Sequence, residues 1–327
     1  MIPSHESAPS TAPASAAPRV VSDTSGNRFS LRAVSCPTCG DAAPLREIGR
    51  RGGASHRYGL GVETTIVQCQ RCTLLFPSPF PFPVNPQALY GDPDKYFENF
   101  EEGWKVADGQ RLIRRARALR GGQLSTLLDV GSGRAEMLRA AALEGIDAVG
   151  LELSQAMIER ARERHGITLL PQSIEELAAQ TERRFDVVML CAILEHVYDP
   201  AAMMASVQRL TVPGGLVYLD IPNEPNLLTR LGNLINRALG SRAVYNLSPT
   251  WSPYHVYGFN PTALLHLLRR HAFEVIDVKI HAVPRIAARG GLRDRLKALL
   301  GTGVNHLANW TGTASNMYVW ARRRPAA

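Results

Sequence analysis

Residues 127–138 (LLDVGSGRAEML) restrict what this chain can fold into more than any other segment. An apolar run that reads as a strand ends in Gly131-Ser132-Gly133, and a helical pattern opens at once. Glycine permits a tight turn, and with no Cβ in the way another group can approach the backbone closely. The helix that follows would present unpaired N–H groups and the positive end of its dipole at the turn. From residue 124 onward, short apolar runs (124–130, 148–153, 185–191, 216–221, 273–280 and 317–321, with a weaker one at 167–170) alternate with amphipathic stretches. Such alternation predicts an α/β sheet with helices on both faces. The helix ends are also readable. Ser154 can cap a helix that Gly166 stops, and Gly145 ends the helix carrying Met137, Leu138, Ala141 and Ala142. Asp199-Pro200 and Asn260-Pro261 each pair an N-cap with proline at the first helical position.

The 327 residues are 45% hydrophobic, enough for a large core, which excludes wholesale disorder and a disulfide-stapled mini-protein. No apolar run reaches eighteen residues, and no basic segment followed by an apolar one stands at the N-terminus. The expectation is therefore a chain without a membrane span, working in the cytoplasm with reduced thiols. Formal net charge is +8, and eight basic residues against Asp294 alone lie from Arg285 onward. A solvated face accounts for such a cluster, and an anionic surface nearby is the functional alternative. Residues 1–28 are rich in Ser, Ala and Pro and read as a disordered tail. Residues 29–80 contain the cysteine pairs. Residues 81–120 read as a connector, its proline-rich part (77–86) unsuited to helix or central strand, followed by a helix with five arginines. Residues 121–327 form the α/β domain, with insertions at 222–256 and 281–315.

Four of the five cysteines form two pairs, Cys36-x-x-Cys39 and Cys69-x-x-Cys72, about thirty residues apart. Four thiolates at these spacings suit tetrahedral Zn²⁺ with every position filled by protein, which makes the metal structural. Disulfides are the alternative, and a reducing compartment opposes them. Gly40 after Cys39 fits a metal knuckle, whereas Thr73 stands where glycine is usual after the second pair.

Nineteen residues after Gly133, the next apolar run ends in Leu151-Glu152-Leu153. A carboxylate at that strand end can accept hydrogen bonds from both ribose hydroxyls. Dinucleotide sites want a third glycine where this chain has Glu136, a poor neighbour for pyrophosphate. Asp129, two residues before the first glycine, can instead meet an ammonium. S-adenosylmethionine (SAM) carries an ammonium, a carboxylate and a ribose and no phosphate, so it suits the segment better.

On these segments the chain resembles the class I SAM-dependent methyltransferases over about residues 124–324. DVGSG and GLELS resemble that family's first and second motifs, FDVVMLCAILEHVYDP its fourth-strand motif and VPGGLVYLDIPN its fifth. The resemblance implies a Rossmann-like seven-stranded sheet whose last strand, near 316–323, is antiparallel. It also implies that Asp129, Gly131, Ser132 and Gly133 hold the methionine part and that Glu152 holds the ribose beside Leu153. Gln172, Ser173 and Ile174 would then lie beside the adenine, and Cys191 and Ala192 would face the cofactor. Residues 66–97 and 255–278 resemble segments of bacterial zinc-ribbon methyltransferases linked to sugar and glycan modification, with Ala272 where those relatives typically have glycine.

The expected activity is methyl transfer to a sugar, glycan or related small-molecule acceptor. His196 and His255 are candidate bases for a hydroxyl acceptor; otherwise they cap or pack their loops, and Glu195 reads as structural. Residues 226–240 place Leu227, Leu228, Leu231, Leu234 and Ile235 on one helical face, and 289–300 form a second basic amphipathic stretch. Packing of both on the sheet edge is the ordinary expectation. A lid, or a peripheral membrane helix meeting a lipid-linked acceptor, is the functional one. The alternatives from another class are a zinc-ribbon RNA-binding protein and a ribosomal-RNA methyltransferase. Against a nucleic-acid partner, the ribbon segment lacks a dense basic and aromatic surface, and its second cysteine pair lacks the histidine found in the ribosomal-RNA relatives.

Overall fold

The computed structural model describes residues 19–23, 26–40, 43–53, 62–85, 102–245, 255–282 and 291–325. Its first half holds six short strands: β1 (Arg19–Ser22), β2 (Arg28–Arg32), β3 (Leu45–Arg51), β4 (Thr64–Cys69), β5 (Leu75–Ser78) and β6 (Phe80–Pro83). They form two three-stranded sheets, ordered β1-β2-β6 and β3-β4-β5. Both are antiparallel.

Two expectations need correction here. The tail does not extend to residue 28, because Arg19–Ser22 pairs with Arg28–Arg32 over four register positions. Val21 and Leu31 pack beside the buried Phe29 and Val62, so this short stretch has the apolar contacts that a Ser/Ala/Pro composition hides. The rest of the expected tail, 1–18, lies outside the described residues. Nor is the proline-rich segment only a connector, since Pro77, Pro81 and Pro83 sit in β5 and β6. Each of these is an edge strand of its sheet, where a missing N–H need not break a ladder.

The main sheet contains β7 (Thr126–Val130), β8 (Asp147–Leu151), β9 (Phe185–Cys191), β10 (Thr211–Pro222), β11 (Phe273–His281) and β12 (Asn316–Arg323), in the order β11-β12-β10-β9-β7-β8. β8, β7, β9 and β10 are parallel, and β12 runs antiparallel to both its neighbours, as expected of the last strand. The expected seventh strand at 167–170 shrinks to one bridge, Leu151 to Leu170. Two hydrogen bonds hold it, Glu152 N–H to Leu170 O and Leu170 N–H to Gly150 O. Pro171 follows and has no N–H to extend the ladder.

The helices are α1 (Glu102–Leu119), α2 (Glu136–Leu143), α3 (Gln155–His165), α4 (Ile174–Gln180), α5 (Pro200–Leu210), α6 (Leu227–Ala238), α7 (Pro261–Arg270) and α8 (Leu292–Trp310). The Asp199 carboxylate accepts from Ala201 and Ala202 N–H, and Asn260 Oδ1 accepts from Ala263 N–H, so both Asx-Pro starts cap as expected. α1 lays Leu112, Ile113 and Ala116 on one face of the sheet together with α2, while α5 and α7 cover the other. That second core runs without a break into the cysteine region: Cys36, Cys69, Cys72, Phe76 and Phe80 share it with Val256, Tyr257 and Leu264. The ribbon is thus fused to the α/β domain rather than strung before it. Backbone bonds between Leu75 and Gly258 in both directions seal the joint. The packing expected of α6 is reversed: Thr229 and Asn233 are buried, and Leu228, Leu231, Leu234 and Ile235 are exposed.

Candidate functional site

The glycine turn sits at the carboxyl edge of the sheet, between β7 and β8. Ser132 N–H donates to Leu151 O at 2.8 Å, tying the turn to the neighbouring strand. Gly150 makes that approach possible, because a Cβ there would stand 2.5 Å from Ser132 Oγ and 2.6 Å from Leu169. Gly131 adopts φ 68°, a left-handed conformation that glycine takes at little cost. The room beside it is not open, however, since a Cβ there would lie 2.2 Å from Ile193 Cδ1. Glu152 caps the arrangement from β8: Oε2 accepts from Gly133 N–H at 2.9 Å and Oε1 from Ser154 N–H at 2.8 Å. Each oxygen keeps a further lone pair for a ligand hydroxyl. Next to it, Leu153 is 69% exposed, an apolar side chain left bare at the edge.

Several carboxyl groups converge on this edge. Asp129 is buried, and desolvation pushes its carboxyl up to about 7, with Glu152 and Glu136 adding repulsion and Lys105 of α1 opposing it. Glu136 is itself paired with Arg134 at 2.6 Å. Asp220 at the end of β10 is raised to about 7, again by burial first and by Asp108 of α1 second. Glu195 is raised to about 8 by burial, and neither of its carboxyl oxygens has a hydrogen-bond partner among the described residues. A protein of net charge +8 thus concentrates buried acids at one sheet edge. Such an edge favours a cationic ligand and disfavours phosphate. SAM, with its sulfonium and ammonium, fits this donor set, and the bare Leu153 fits a nucleoside base.

The other residues expected around the cofactor are placed as follows. Ser173 is the N-cap of α4 in a capping box with Glu176, so its hydroxyl already accepts a backbone N–H. Ile174 is 1% exposed and packs its side chain in the core, which leaves its backbone for a ligand. Cys191 ends β9 with its thiol pushed well above the usual range by burial. Ala192 follows at φ 55°, exposed, with its N–H bonded to Asp220 O.

Beyond the end of β9, His196 and His255 meet edge to face with ring centroids 4.7 Å apart. The chain leading from His255 docks on the loop after β9, since Val256 N–H donates to Glu195 O at 2.8 Å. His196 Nε2 lies 3.8 Å from Glu195 Oε1. Burial lowers the His255 imidazole to about 4, so it is neutral at physiological pH and a weaker base than an exposed histidine. Lys105, Asp108, Asp220 and Ile193 were not singled out in the sequence. Asp220 could have been, because it stands at the carboxyl end of an apolar run; the two α1 residues carry no sequence signal for their place.

Away from this edge, Cys36, Cys39, Cys69 and Cys72 bring their sulfurs within 4.8 Å of one another. Four sulfurs about 2.3 Å from a common ion lie about 3.8 Å apart, so the cluster is compatible with structural zinc. Backbone N–H groups of Cys39 and Gly40 turn back to Cys36 O, and that of Thr73 to Cys69 O, forming the two knuckles. Thr73 takes the left-handed φ of 66° that glycine would take, and its hydroxyl and carbonyl are held by Asn260. Ala272 likewise stands at φ 58° where glycine was expected. The Thr38 hydroxyl lies 2.9 Å from Cys72 Sγ, and His266 Nε2 of α7 approaches Cys39 Sγ at 3.4 Å, a neighbour that nothing in the sequence marks.

Comparison with known proteins adds four findings. A family model described as a methyltransferase domain matches residues 105–278. The ubiquinone biosynthesis O-methyltransferase of Methylococcus capsulatus is 30% identical over 209 residues, covering 61% of this chain and 77% of that one. The protein of the same description from Xanthomonas oryzae is 28% identical over 188 residues, covering 56% and 74%. Among solved structures, a SAM-dependent methyltransferase from Archaeoglobus fulgidus is 16% identical with a TM-score of 0.49, covering 73% of this chain and 100% of that one.

Proposed function

The chain belongs to the methyltransferase-domain family and is a SAM-dependent methyltransferase, and from that premise we propose that it methylates a hydroxyl group of a sugar, glycan or related small molecule. The observation that carries the choice of a hydroxyl is the pair of imidazoles after β9, His196 and His255, whose ring centroids lie 4.7 Å apart. A hydroxyl is too weakly acidic to attack unaided at neutral pH, so a base at the reacting oxygen matters for it and for few other acceptors. The relatives' description as O-methyltransferases supports the same atom.

Bound SAM supplies a methyl group on a sulfonium, whose departing thioether needs no acid. Asp129 meets the ammonium, Gly131 to Gly133 shape the turn around the methionine part, and Glu152 receives the ribose hydroxyls. Leu153 and the backbone at Ser173 and Ile174 border the adenine, while Cys191 and Ala192 close the floor. His255 takes the proton of the acceptor hydroxyl as its oxygen bonds to the methyl carbon, and His196 orients that ring. Glu195, buried and protonated, lines the wall and keeps water out. Because orientation and desolvation supply much of the rate, the chain's chief task is to hold the two reactants in line.

The glycan class is supported by the cysteine ribbon and the 255–278 segment, which resemble those of glycan-associated methyltransferases. A lipid-linked carrier in the cytoplasm is the form proposed for it. A second reading, a phenolic hydroxyl on a quinone precursor, is favoured by what the curated relatives are called. The crowded carboxyl groups count against a polyanionic RNA acceptor. Tritium from methyl-labelled SAM tests these readings. Transfer to lipid-linked or free oligosaccharide supports the first, transfer only to a hydroxylated polyprenyl phenol favours the second, and transfer only to stripped ribosomal RNA overturns both.

A further inference from the structure

A surface helix of a water-soluble protein buries its apolar stripe and shows water its polar one. α6 and α8 do the reverse. α6 turns Thr229 and Asn233 inward, where Asn233 Oδ1 accepts from Tyr245 N–H and Gly232 abuts the Tyr245 ring. Outward it shows Leu228, Leu231, Leu234, Ile235 and Leu239, from 45% to 78% exposed. α8 buries Ala298 and Ala308, and Asn309 exchanges two hydrogen bonds with the Ala282 backbone. Its outward face carries Leu296, Leu299, Leu300, Leu307 and Trp310, from 49% to 84% exposed. In both helices the exposed apolar residues recur at helical spacing, so each forms one continuous face. The helices meet where Leu227 packs beside Ala308, and Leu227 N–H donates to Thr313 O.

Charge selects the occupant. Arg230 and Arg237 accompany the first face and Arg293, Arg295 and Lys297 the second, against the single acid Asp294 in residues 226–245 and 291–313, while Arg242 is paired with Glu47. We propose that α6 and α8 together form a docking surface for an anionic lipid membrane. Leucines enter the acyl boundary, Trp310 sits at headgroup depth and the basic side chains reach the lipid phosphates. A second copy of the chain is a poorer occupant, because a two-fold contact would set these cations against themselves. No described helix is long and apolar enough to cross a bilayer, so the contact is peripheral. The inference deepens the lipid-linked form of the acceptor reading and rests on that reading only for what the membrane delivers. Vesicle binding itself requires no acceptor.

The test is co-flotation of the full chain with phosphatidylcholine vesicles, with and without 30% phosphatidylglycerol, at low and high salt. The expected result is binding to the anionic vesicles at least ten times tighter than to the neutral ones, weakened by salt. Leu234→Ser with Ile235→Ser, and separately Leu299→Ser with Leu300→Ser, should each lower that binding about tenfold with SAM affinity and thermal melting unchanged. Equal binding by these variants, or no binding of the unaltered chain to either vesicle, overturns the proposal. A serine variant that turns a stable dimer into a monomer, with no vesicle binding at all, assigns the face to a second copy instead. Failure to methylate any lipid-linked sugar would sink the acceptor reading and leave the flotation result standing.

Discussion

The cysteine cluster and the carboxyl edge of the main sheet both gather ionisable groups in buried surroundings, yet they are built to opposite ends. At the first, three of the four cysteines are 1% exposed or less, the sulfurs face one another, and the backbone turns around them are hydrogen-bonded. Nothing there is left over for a substrate. At the second, Asp129 and Asp220 are raised to about 7 and Glu195 to about 8, because burial penalises their charge and only Asp129 has a cation, Lys105, to relieve it. A closed ligand set holds a fold; a set of acids short of positive charge stores an affinity for a cation that arrives later.

The comparison is broken most severely if the cysteine cluster proves dispensable. Cys69→Ser should remove stoichiometric zinc and destabilise the whole chain by more than ~5 kcal/mol, because the cluster shares its core with the α/β domain. Metal analysis with thermal melting checks this, and a zinc-free variant that melts normally would refute it. Glu152→Ala acts on the other side. SAM affinity should fall on the order of 100-fold, about 3 kcal/mol, with the melting temperature of the ligand-free protein nearly unchanged; calorimetry reads both. His255→Ala should lower kcat ~100-fold while SAM affinity holds, and the acidic limb of the unaltered enzyme should lie near pH 4 rather than 6.5.

Glu195→Gln sharpens the contrast through pH. The folded carboxyl, at about 8, holds its proton where the unfolded one has lost it. Its contribution is therefore intact below the ordinary carboxylate range and is lost as pH rises toward 8. Removing the titration should raise stability at pH 8 by ~2 kcal/mol and flatten the pH dependence between 5 and 8, measured by urea unfolding. The smallest effect belongs to the joint between the regions. Asn260→Ala loses the α7 cap and the contact to Thr73, and should cost about 1 kcal/mol without touching zinc or SAM.

Much of this was legible beforehand where the physics is local. The Asx-Pro starts of α5 and α7, the left-handed turn glycines and the spacing of the cysteine pairs depend on a few neighbouring residues, and the structure holds them as expected. Prolines in β5 and β6 misled because a proline is tolerated in an edge strand and refused in a central one, and sequence does not say which strands are edges.

The sequence by itself determined an alternating α/β chain with a glycine turn, an acid at the next strand end and a four-thiol set, since each is a pattern over short separations. Only the tertiary structure decided that Ile193 lies over Gly131, that His255 reaches His196, that Asp220 and Asp108 join the acids at the edge, and that α6 and α8 turn their leucines outward. Burial, and with it the cost of charge and the direction a helix faces, is set by residues far apart in the chain, and no window of sequence contains them.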